Sequence, residues 1–582
     1  MENVEIARHL SEAADLLAVQ GANPFRVRAY QAAARTIADW PRSLSDMLEG
    51  GEDLTALPTI GRDLARHVEE IVATGRLAMR GDDGVTIPST IVELLSLEGI
   101  GPKRARALYD HLGVASLDQL GAALSSGKVE GVPGFGRRTV QTMEAALARA
   151  RARRGRFPLA EAEAVIAPLI AHLQGCKAVD EVEVCGSLRR RRETVGDVDI
   201  LVASSKPQEV MNHLLAYGAI DVVSVAGGTR ASFRLRSGLE IDVRVVSRES
   251  WGSALQYFTG SKAHSVALRR RAVSKGMKLS EYSLSRVAKA AGAKVRRIAG
   301  ESEEGLYHAL GLPWIPPELR EDRGELEAAR AGQLPDLIDL RDIRGDLQLH
   351  SDWSDGRAPI EDMVRAAKAK GYRYVAITDH SKALAMIGGL AEKDLGRQAE
   401  ELRKAEERVG GIAVLAGIEV EILKDGSLDL DDEHLATLDF VLAAVHTHRT
   451  LGKAAMTKRL VAAVSHPCVH ALAHPSGRLI GTRDPYPYDF DEVVGAAVEH
   501  GVALELNANP RRLDLNDVLV RRARDQGAMI TINTDAHAPP GLDHMRYGID
   551  QARRGWLERG DVLNALTLRQ LRTWLRRRTP RA

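Results

Sequence analysis

From residue 341 onward, short apolar runs alternate with longer stretches of helical character, and seven of the runs end in polar, ligand-type side chains. They lie at 346–350 (DLQLH), 375–380 (VAITDH), 415–419 (LAGIE), 442–446 (LAAVH), 471–474 (ALAH), 503–507 (ALELN) and 530–537 (ITINTDAH). Apolar runs of this length read as buried strands, and strands alternating with helices predict a parallel sheet. Seven such units predict a TIM-like (β/α)7 barrel with its active site at the C-terminal ends of the strands. The first half has a different rhythm. Residues 1–17 (MENVEIARHLSEAADLL) predict an amphipathic helix, Asn23-Pro24-Phe25-Arg26 starts another, and the chain reads as helical to about residue 90. Between residues 182 and 246 the pattern turns to strands, one pair joined at Ser237-Gly238.

These middle strands carry the first candidate chemistry. A β-prone run ending at Cys185 leads into Gly186-Ser187 and Arg189 to Arg192, and the next apolar run holds Asp197 and Asp199. Residues two apart on a strand share a face, so both carboxylates project from one surface. Such a pair suits hard cations with oxygen ligands, Mg²⁺ above all. Asp242, between Ile241 and Val243, supplies a third carboxylate, and three acids on adjacent strands suffice for two ions. Gly186 and Ser187 offer donors to phosphate oxygens, and the four arginines offer countercharge.

A third pattern repeats three times in the helical part, as Leu57-Pro58-Thr59-Ile60-Gly61, Leu97-Glu98-Gly99-Ile100-Gly101 and Val132-Pro133-Gly134-Phe135-Gly136. Each unit is an apolar hairpin opening a helix, where backbone N–H groups bind a DNA phosphate without reading sequence. Lys103, Arg104, Arg137 and Arg138 stand beside the turns.

A net charge of +1 over 582 residues does not itself point to nucleic acid, but residues 91–156 carry eleven Lys/Arg against six Asp/Glu. The apolar fraction of 44% and charged fraction of 27% are those of a globular chain of several domains. Cys176, Cys185 and Cys468 are too few for a disulfide framework or a Cys-ligated zinc site. The N-terminus lacks the pattern of a signal peptide and no apolar run is long enough for a membrane, so a reducing cytoplasm is expected.

The order Gly-Ser, Gly-Asp-Val-Asp and a lone later Asp resembles the nucleotidyltransferase superfamily. Tyr257-Phe258-Thr259-Gly260-Ser261, followed by a basic helix, resembles the corresponding motif of the family X DNA polymerases, and the repeated units resemble helix-hairpin-helix motifs. The strand-end ligands of the second half resemble the polymerase and histidinol phosphatase (PHP) domain. Together they resemble the bacterial family X polymerases over nearly the whole chain. The resemblance implies a lyase-like helix-hairpin-helix domain at 1–90, a second helix-hairpin-helix domain at 91–156, an α+β palm at 157–250, a nucleotide-selection and template-binding part at 251–315 and a PHP barrel at 341–582. Two prolines with dense charge mark an ordered or semi-ordered linker at 316–340. It implies catalytic Asp197, Asp199 and Asp242, and nucleotide binding by Gly186, Ser187, Arg190, Gly196, Tyr257, Phe258 and Gly260. It places DNA contacts at Gly61, Gly99, Gly101, Lys103, Gly134, Gly136, Arg137 and Arg269. In the barrel it implies metal ligation by His350, Asp355, His380, Glu419, His446, His474, Asp535 and His537. His448, His466 and His470 lack a strand-end register and are expected at the surface or behind the ligands.

The implied partners are gapped or nicked DNA with a 3′ end and deoxynucleoside triphosphates. The implied ions are Mg²⁺ or Mn²⁺ at the palm and two or three Mn²⁺ or Zn²⁺ in the barrel. The implied activity is short-gap filling in repair with 3′–5′ exonuclease trimming. Two departures qualify this. His67 stands where lyase-active members carry a Schiff-base lysine, and imidazole forms no stable imine, so weak or absent lyase chemistry is expected. Gln348 replaces the first His of the family's His-x-His motif, which shifts preference from zinc towards Mn²⁺ or Mg²⁺. A template-independent nucleotidyltransferase and a noncatalytic DNA-end scaffold remain as alternatives.

Overall fold

The computed structural model describes residues 3–38, 44–74, 77, 87–95, 97, 99–153, 155–286 and 296–576. Their contacts divide the chain into two compact units, one of residues 1–154 and 481–483, the other of residues 155–480 and 484–582.

The first unit is helical. Asn3–Val19, Pro24–Ala38 and Arg62–Thr74 close over one apolar core that includes Ile6, Leu10, Ile37 and Ile71, while Pro102–Leu112 and Arg137–Arg153 help enclose a second. The three repeated units are built alike. Their first and fourth residues, Leu57 and Ile60, Leu97 and Ile100, Val132 and Phe135, are buried, and in each the N–H of the fourth donates to the carbonyl of the first. The third residue lies in the left-handed region every time, Thr59 at φ 67°, Gly99 at 86° and Gly134 at 88°. Glycine takes that conformation at no steric cost and threonine does not, so the first hairpin carries strain that the other two avoid.

The second unit holds two sheets that matter for function. Five strands, β1 (Glu181–Val184), β2 (Asp197–Ala203), β3 (Ile220–Ala226), β4 (Arg230–Leu235) and β5 (Glu240–Val246), form a mixed sheet in the order β1-β2-β5-β4-β3. β2 and β5 are parallel neighbours, and the β4–β5 hairpin turns at Gly238, which has φ 90°. The helices Trp251–Thr259 and Lys262–Ser274 follow, the latter capped by the Ser261 side chain.

The barrel contains β6 (Gly345–Leu349), β7 (Tyr374–Ile377), β8 (Ala413–Glu421), β9 (Phe440–Ala444), β10 (Ala471–Leu472), β11 (Ala503–Asn507) and β12 (Ile530–Asn533). All seven are parallel and lie in sequence order. A bridge from Leu349 to Ala536 brings the first strand to the end of the last. The seven predicted β–α units are therefore the observed ones.

Residues 316–340, expected as a linker, are built into the core instead. Leu319, Leu326 and Ala329 pack with Leu268, Leu306 and Tyr307, and Arg320 is wholly buried. The helix Glu325–Ala331 contributes Glu325 to a closed polar chain in which His264 Nδ1 lies 2.6 Å from Glu325 and His264 Nε2 lies 2.8 Å from the Tyr307 hydroxyl. The segment's prolines and dense charge mark a boundary, but Arg320, Glu321 and Glu325 have partners within the fold.

Candidate functional site

On the five-stranded sheet, parallel register sets Asp199 directly beside Asp242, and Asp197 beside Glu240. Val198, Ile200, Ile241 and Val243 point into the core, so the three aspartates share the opposite face. Burial, reinforced by the charges of Asp197 and Asp242, raises the Asp199 carboxyl to about 7. Three carboxylates held this close favour cations between them, which is the fit expected of a two-ion site. Ser232, opposite Asp242 on β4, donates its hydroxyl to that carboxylate, and Arg230 reaches it at 3.3 Å.

Gly186 lies against one of these carboxylates, that of Asp199. Its φ is 60°, and a Cβ at this position would lie 2.5 Å from Asp199 Oδ2. Alanine here forces either the backbone turn or the carboxylate to move. We expect Gly186→Ala to slow primer extension about 100-fold, the cost of a misplacement near 1 Å in a reacting group. Exonuclease activity measured on the same preparation should stay unchanged.

Beside the aspartates lies a cleft of about 570 Å³ whose lining includes Gly186, Ser187, Arg190, Asp197, Asp199, Tyr257, Phe258, Gly260 and Arg269. Tyr257 and Phe258 meet edge to face with centroids 5.2 Å apart, and Tyr257 is exposed. Gly196 abuts the Arg156 guanidinium, and Gly260 abuts that of Arg190, where a Cβ would stand 3.2 Å from Nη1 in both cases.

The four arginines that the sequence offers together as countercharge are divided by the structure. Arg190 and Arg192 line the cleft. Arg189 turns away to Glu303 and Thr259, and Arg191, at φ 57°, pairs with Glu163 and Asp550. Adjacent residues of a tight turn diverge, so these two are structural ion pairs. In their place Arg156 and Lys262 line the cleft. Sequence reasoning missed both, although Lys262 directly follows the Tyr-Phe-Thr-Gly-Ser motif.

At the barrel's strand ends, three groups of ligand atoms each lie within 4.8 Å of one another: His350, Asp355, His380 and His537; His380, Glu419 and His446; His350, Glu419 and Asp535. Glu419 is central, with His350 Nε2 at 3.4 Å, His380 Nδ1 at 3.3 Å, His446 Nε2 at 3.4 Å and His474 Nε2 at 2.8 Å. His474 touches the groups through this carboxylate. Although burial opposes it, the neighbouring imidazoles hold Glu419 well below the usual carboxylate range. Burial lowers His380 to about 3, whereas Glu419 and Glu421 raise the buried His446 to about 9.

Buried polar atoms here lack protein partners. Both His350 nitrogens, His380 Nδ1, Glu419 Oε2 and both amide atoms of Gln348 are hydrogen-bonded to nothing in the protein. Leaving such groups unsatisfied is costly, and bound cations satisfy the imidazoles and carboxylates at once. The donor set is mixed imidazole and carboxylate, which fits Zn²⁺ or Mn²⁺. Behind it Glu421 accepts from His446 Nδ1 at 3.0 Å, and buried Glu505 accepts from the backbone N–H of His474. The sequence signal for Glu421 was its spacing, two residues beyond Glu419 on the same strand face.

His448 is exposed and His466 pairs with Asp432 at 3.1 Å. His470 departs from expectation. It is buried immediately before β10, accepting a hydrogen bond from the Val441 N–H and stacking on Phe440, so it supports the far end of the barrel.

In the first unit Lys103 and Arg137 are exposed beside their hairpins, while Arg104 donates to the Gly99 carbonyl at 2.6 Å. Gly61, Gly101 and Gly136 open the following helices, their carbonyls accepting from Ala65, Ala105 and Val140. The side chain of Arg138 lies outside the described residues. His67 Nδ1 lies 2.8 Å from the Tyr30 hydroxyl, and burial lowers its proton affinity. A neutral imidazole offers no amine, so borohydride reduction in the presence of a 5′-deoxyribose phosphate end should trap no adduct on residues 1–90.

Sequence comparison agrees with this layout. A helix-hairpin-helix domain profile matches residues 1–77 and a SAM-like helix-hairpin-helix tandem matches 91–149. The DNA polymerase beta palm matches 156–222, the DNA polymerase beta thumb 254–321 and the PHP domain 346–508. A probable phosphatase of Shewanella sp. (strain ANA-3) is 30% identical over 202 residues, covering 33% of this chain and 74% of that protein. A probable phosphatase of Acetivibrio thermocellus is 32% identical over 188 residues, covering 31% and 72%. The DNA polymerase/3′-5′ exonuclease PolX of Bacillus subtilis is 37% identical over 579 residues, 99% of this chain and 100% of that protein. At that identity over the full length of both proteins, this chain belongs to the bacterial family X DNA polymerases that carry a PHP domain.

Proposed function

We propose that this chain is a DNA-directed DNA polymerase that fills short gaps during repair and trims 3′ ends with a phosphodiesterase in its barrel. The observation that carries the first activity is the convergence of Asp197, Asp199 and Asp242 on one sheet face, beside a cleft of phosphate-sized donors and aromatic rings. Asp197, Asp199 and Asp242 hold Mg²⁺ or Mn²⁺, and the strand-end His, Asp and Glu side chains hold two or three Mn²⁺ or Zn²⁺. When bound, such ions neutralise developing charge on the transferring phosphoryl oxygens.

The chain's own residues do the positioning. Ser187 and Arg190 face the triphosphate, and Tyr257 and Phe258 pack against its sugar. Arg192, Lys262 and Arg269 supply positive charge to the same cleft, where the template backbone and the incoming nucleotide meet. The helix openings at Gly61, Gly99, Gly101, Gly134 and Gly136, with Lys103 and Arg137, hold DNA by its phosphates without sequence preference. In the barrel, Glu421 orients the His446 imidazole and Glu505 holds the His474 backbone N–H, and both imidazoles approach Glu419.

Three helix-hairpin-helix units and Arg269 in the cleft favour template-directed synthesis over a template-independent transferase. The test is a gapped duplex with a labelled primer and Mn²⁺ or Mg²⁺. Nucleotides should drive extension across the gap, and their omission should leave primer shortening. A chain that does neither is a DNA-end scaffold.

A further inference from the structure

The arginine turn of the palm is held from the barrel. Arg554, at the end of the helix Met545–Arg554 and almost fully buried, donates from Nη1 to the Arg190 carbonyl at 2.6 Å and to Glu321 Oε1 at 3.1 Å. Its Nη2 reaches Asp517 at 2.7 Å. Glu321 Oε1 also takes Arg190 Nε at 3.1 Å and lies 3.6 Å from Arg192 Nη1, so one carboxylate gathers three guanidinium groups. One turn earlier on the same helix, Gln551 Nε2 donates to the Arg191 carbonyl at 3.0 Å and Asp550 takes the Arg191 side chain at 2.6 Å. Each residue from Arg190 to Arg192 is therefore gripped by this helix or by Glu321. Only Arg190 and Arg192 of that turn face the cleft.

We propose that the barrel helix Met545–Arg554 is a positioning element of the nucleotidyl-transfer site, with Arg554 and Gln551 fixing the arginine turn that receives the triphosphate. The proposal rests on reading the cleft as the nucleotide site. Arg190 spends its guanidinium on Glu321 and on the Thr259 carbonyl at 2.6 Å, so where it points is decided by what holds those partners. Arg554 is one of them. A second consequence is that the polymerase half depends on the barrel for nucleotide affinity, whether or not the barrel is hydrolysing DNA.

The test uses the full-length chain and measures KM for the incoming nucleotide, kcat for extension and the exonuclease rate, for wild type, Arg554→Met, Arg554→Lys and Gln551→Leu. The expected result is a KM raised about tenfold or more in Arg554→Met, with kcat within about twofold and the exonuclease rate unchanged. Arg554→Lys should recover part of the affinity because it restores charge to Glu321 without the fork that reaches all three partners. Gln551→Leu, which leaves no buried charge unpaired, should show a smaller rise in the same direction and decides the question if Arg554→Met does not fold. A KM equal to wild type in both variants overturns the proposal, as does a parallel fall of extension and exonuclease rates at constant KM. A wild type that extends no primer at any nucleotide concentration overturns the reading of the cleft itself, and this proposal with it.

Discussion

Glu419→Gln should stop the chain from shortening primers, the rate falling about 10³-fold, the equivalent of the several kcal/mol that ion-assisted charge stabilisation contributes. The substitution keeps the volume of the side chain and removes its charge. Four imidazoles lie within 3.4 Å of this one carboxylate, and it belongs to two of the three ligand groups, so its loss disturbs more than one ion position. Metal content per chain, measured after dialysis, should fall in the variant. Primer extension should continue at the wild-type rate, because the palm aspartates lie on a separate sheet.

Glu303→Gln should destabilise the fold strongly. Glu303 is 3% exposed and takes Arg320, itself wholly buried, at 2.5 Å, Arg189 at 2.9 Å and the Trp314 indole N–H at 3.2 Å. Removing its charge strands the Arg320 guanidinium in the core, which costs about 3–5 kcal/mol. Hydrogen exchange of the helix Glu303–Ala309 is the suitable readout, since a chain of several domains has no single unfolding free energy. The effect depends on pH in a definite sense. Burial alone would raise the Glu303 carboxyl, but Arg320 and Arg189 lower it to about 2. Its folded pKa lies below the unfolded one, so its contribution is complete above about pH 4.5 and is lost as pH falls towards 2. The gap between wild type and Glu303→Gln should therefore be full at pH 7 and narrow at pH 3.

Much of this molecule was legible in the sequence where function is carried by local pattern. Seven strand ends announced the barrel because a buried parallel strand must be apolar and its C-terminal end is where ligands gather. The repeated hairpins were readable from five-residue units, and the shared face of Asp197 and Asp199 from the two-residue period of strands, whereas the register that sets Asp199 beside Asp242 came from the structure. What local pattern does not carry is the choice of distant partner. Arg189, Arg190, Arg191 and Arg192 are indistinguishable by spacing, yet Arg191 is claimed by Asp550, 359 residues on, and Arg189 by Glu303, 114 residues on. The stretch 316–340 read as a linker for the same reason, because Arg320, Glu321 and Glu325 meet distant partners that periodicity does not reveal. His470 was read correctly as lacking a strand-end register, but register does not reveal burial, and the barrel buries it before β10 against Phe440.

The most direct test of two separate active sites in one chain is primer extension and primer shortening on a gapped duplex, measured side by side for wild type, Asp242→Ala and His350→Ala. Extension should vanish only in Asp242→Ala, which loses the carboxylate in register with Asp199, and shortening only in His350→Ala, which removes an imidazole shared by two ligand groups. Loss of both activities in either variant, or of neither in both, would contradict the account.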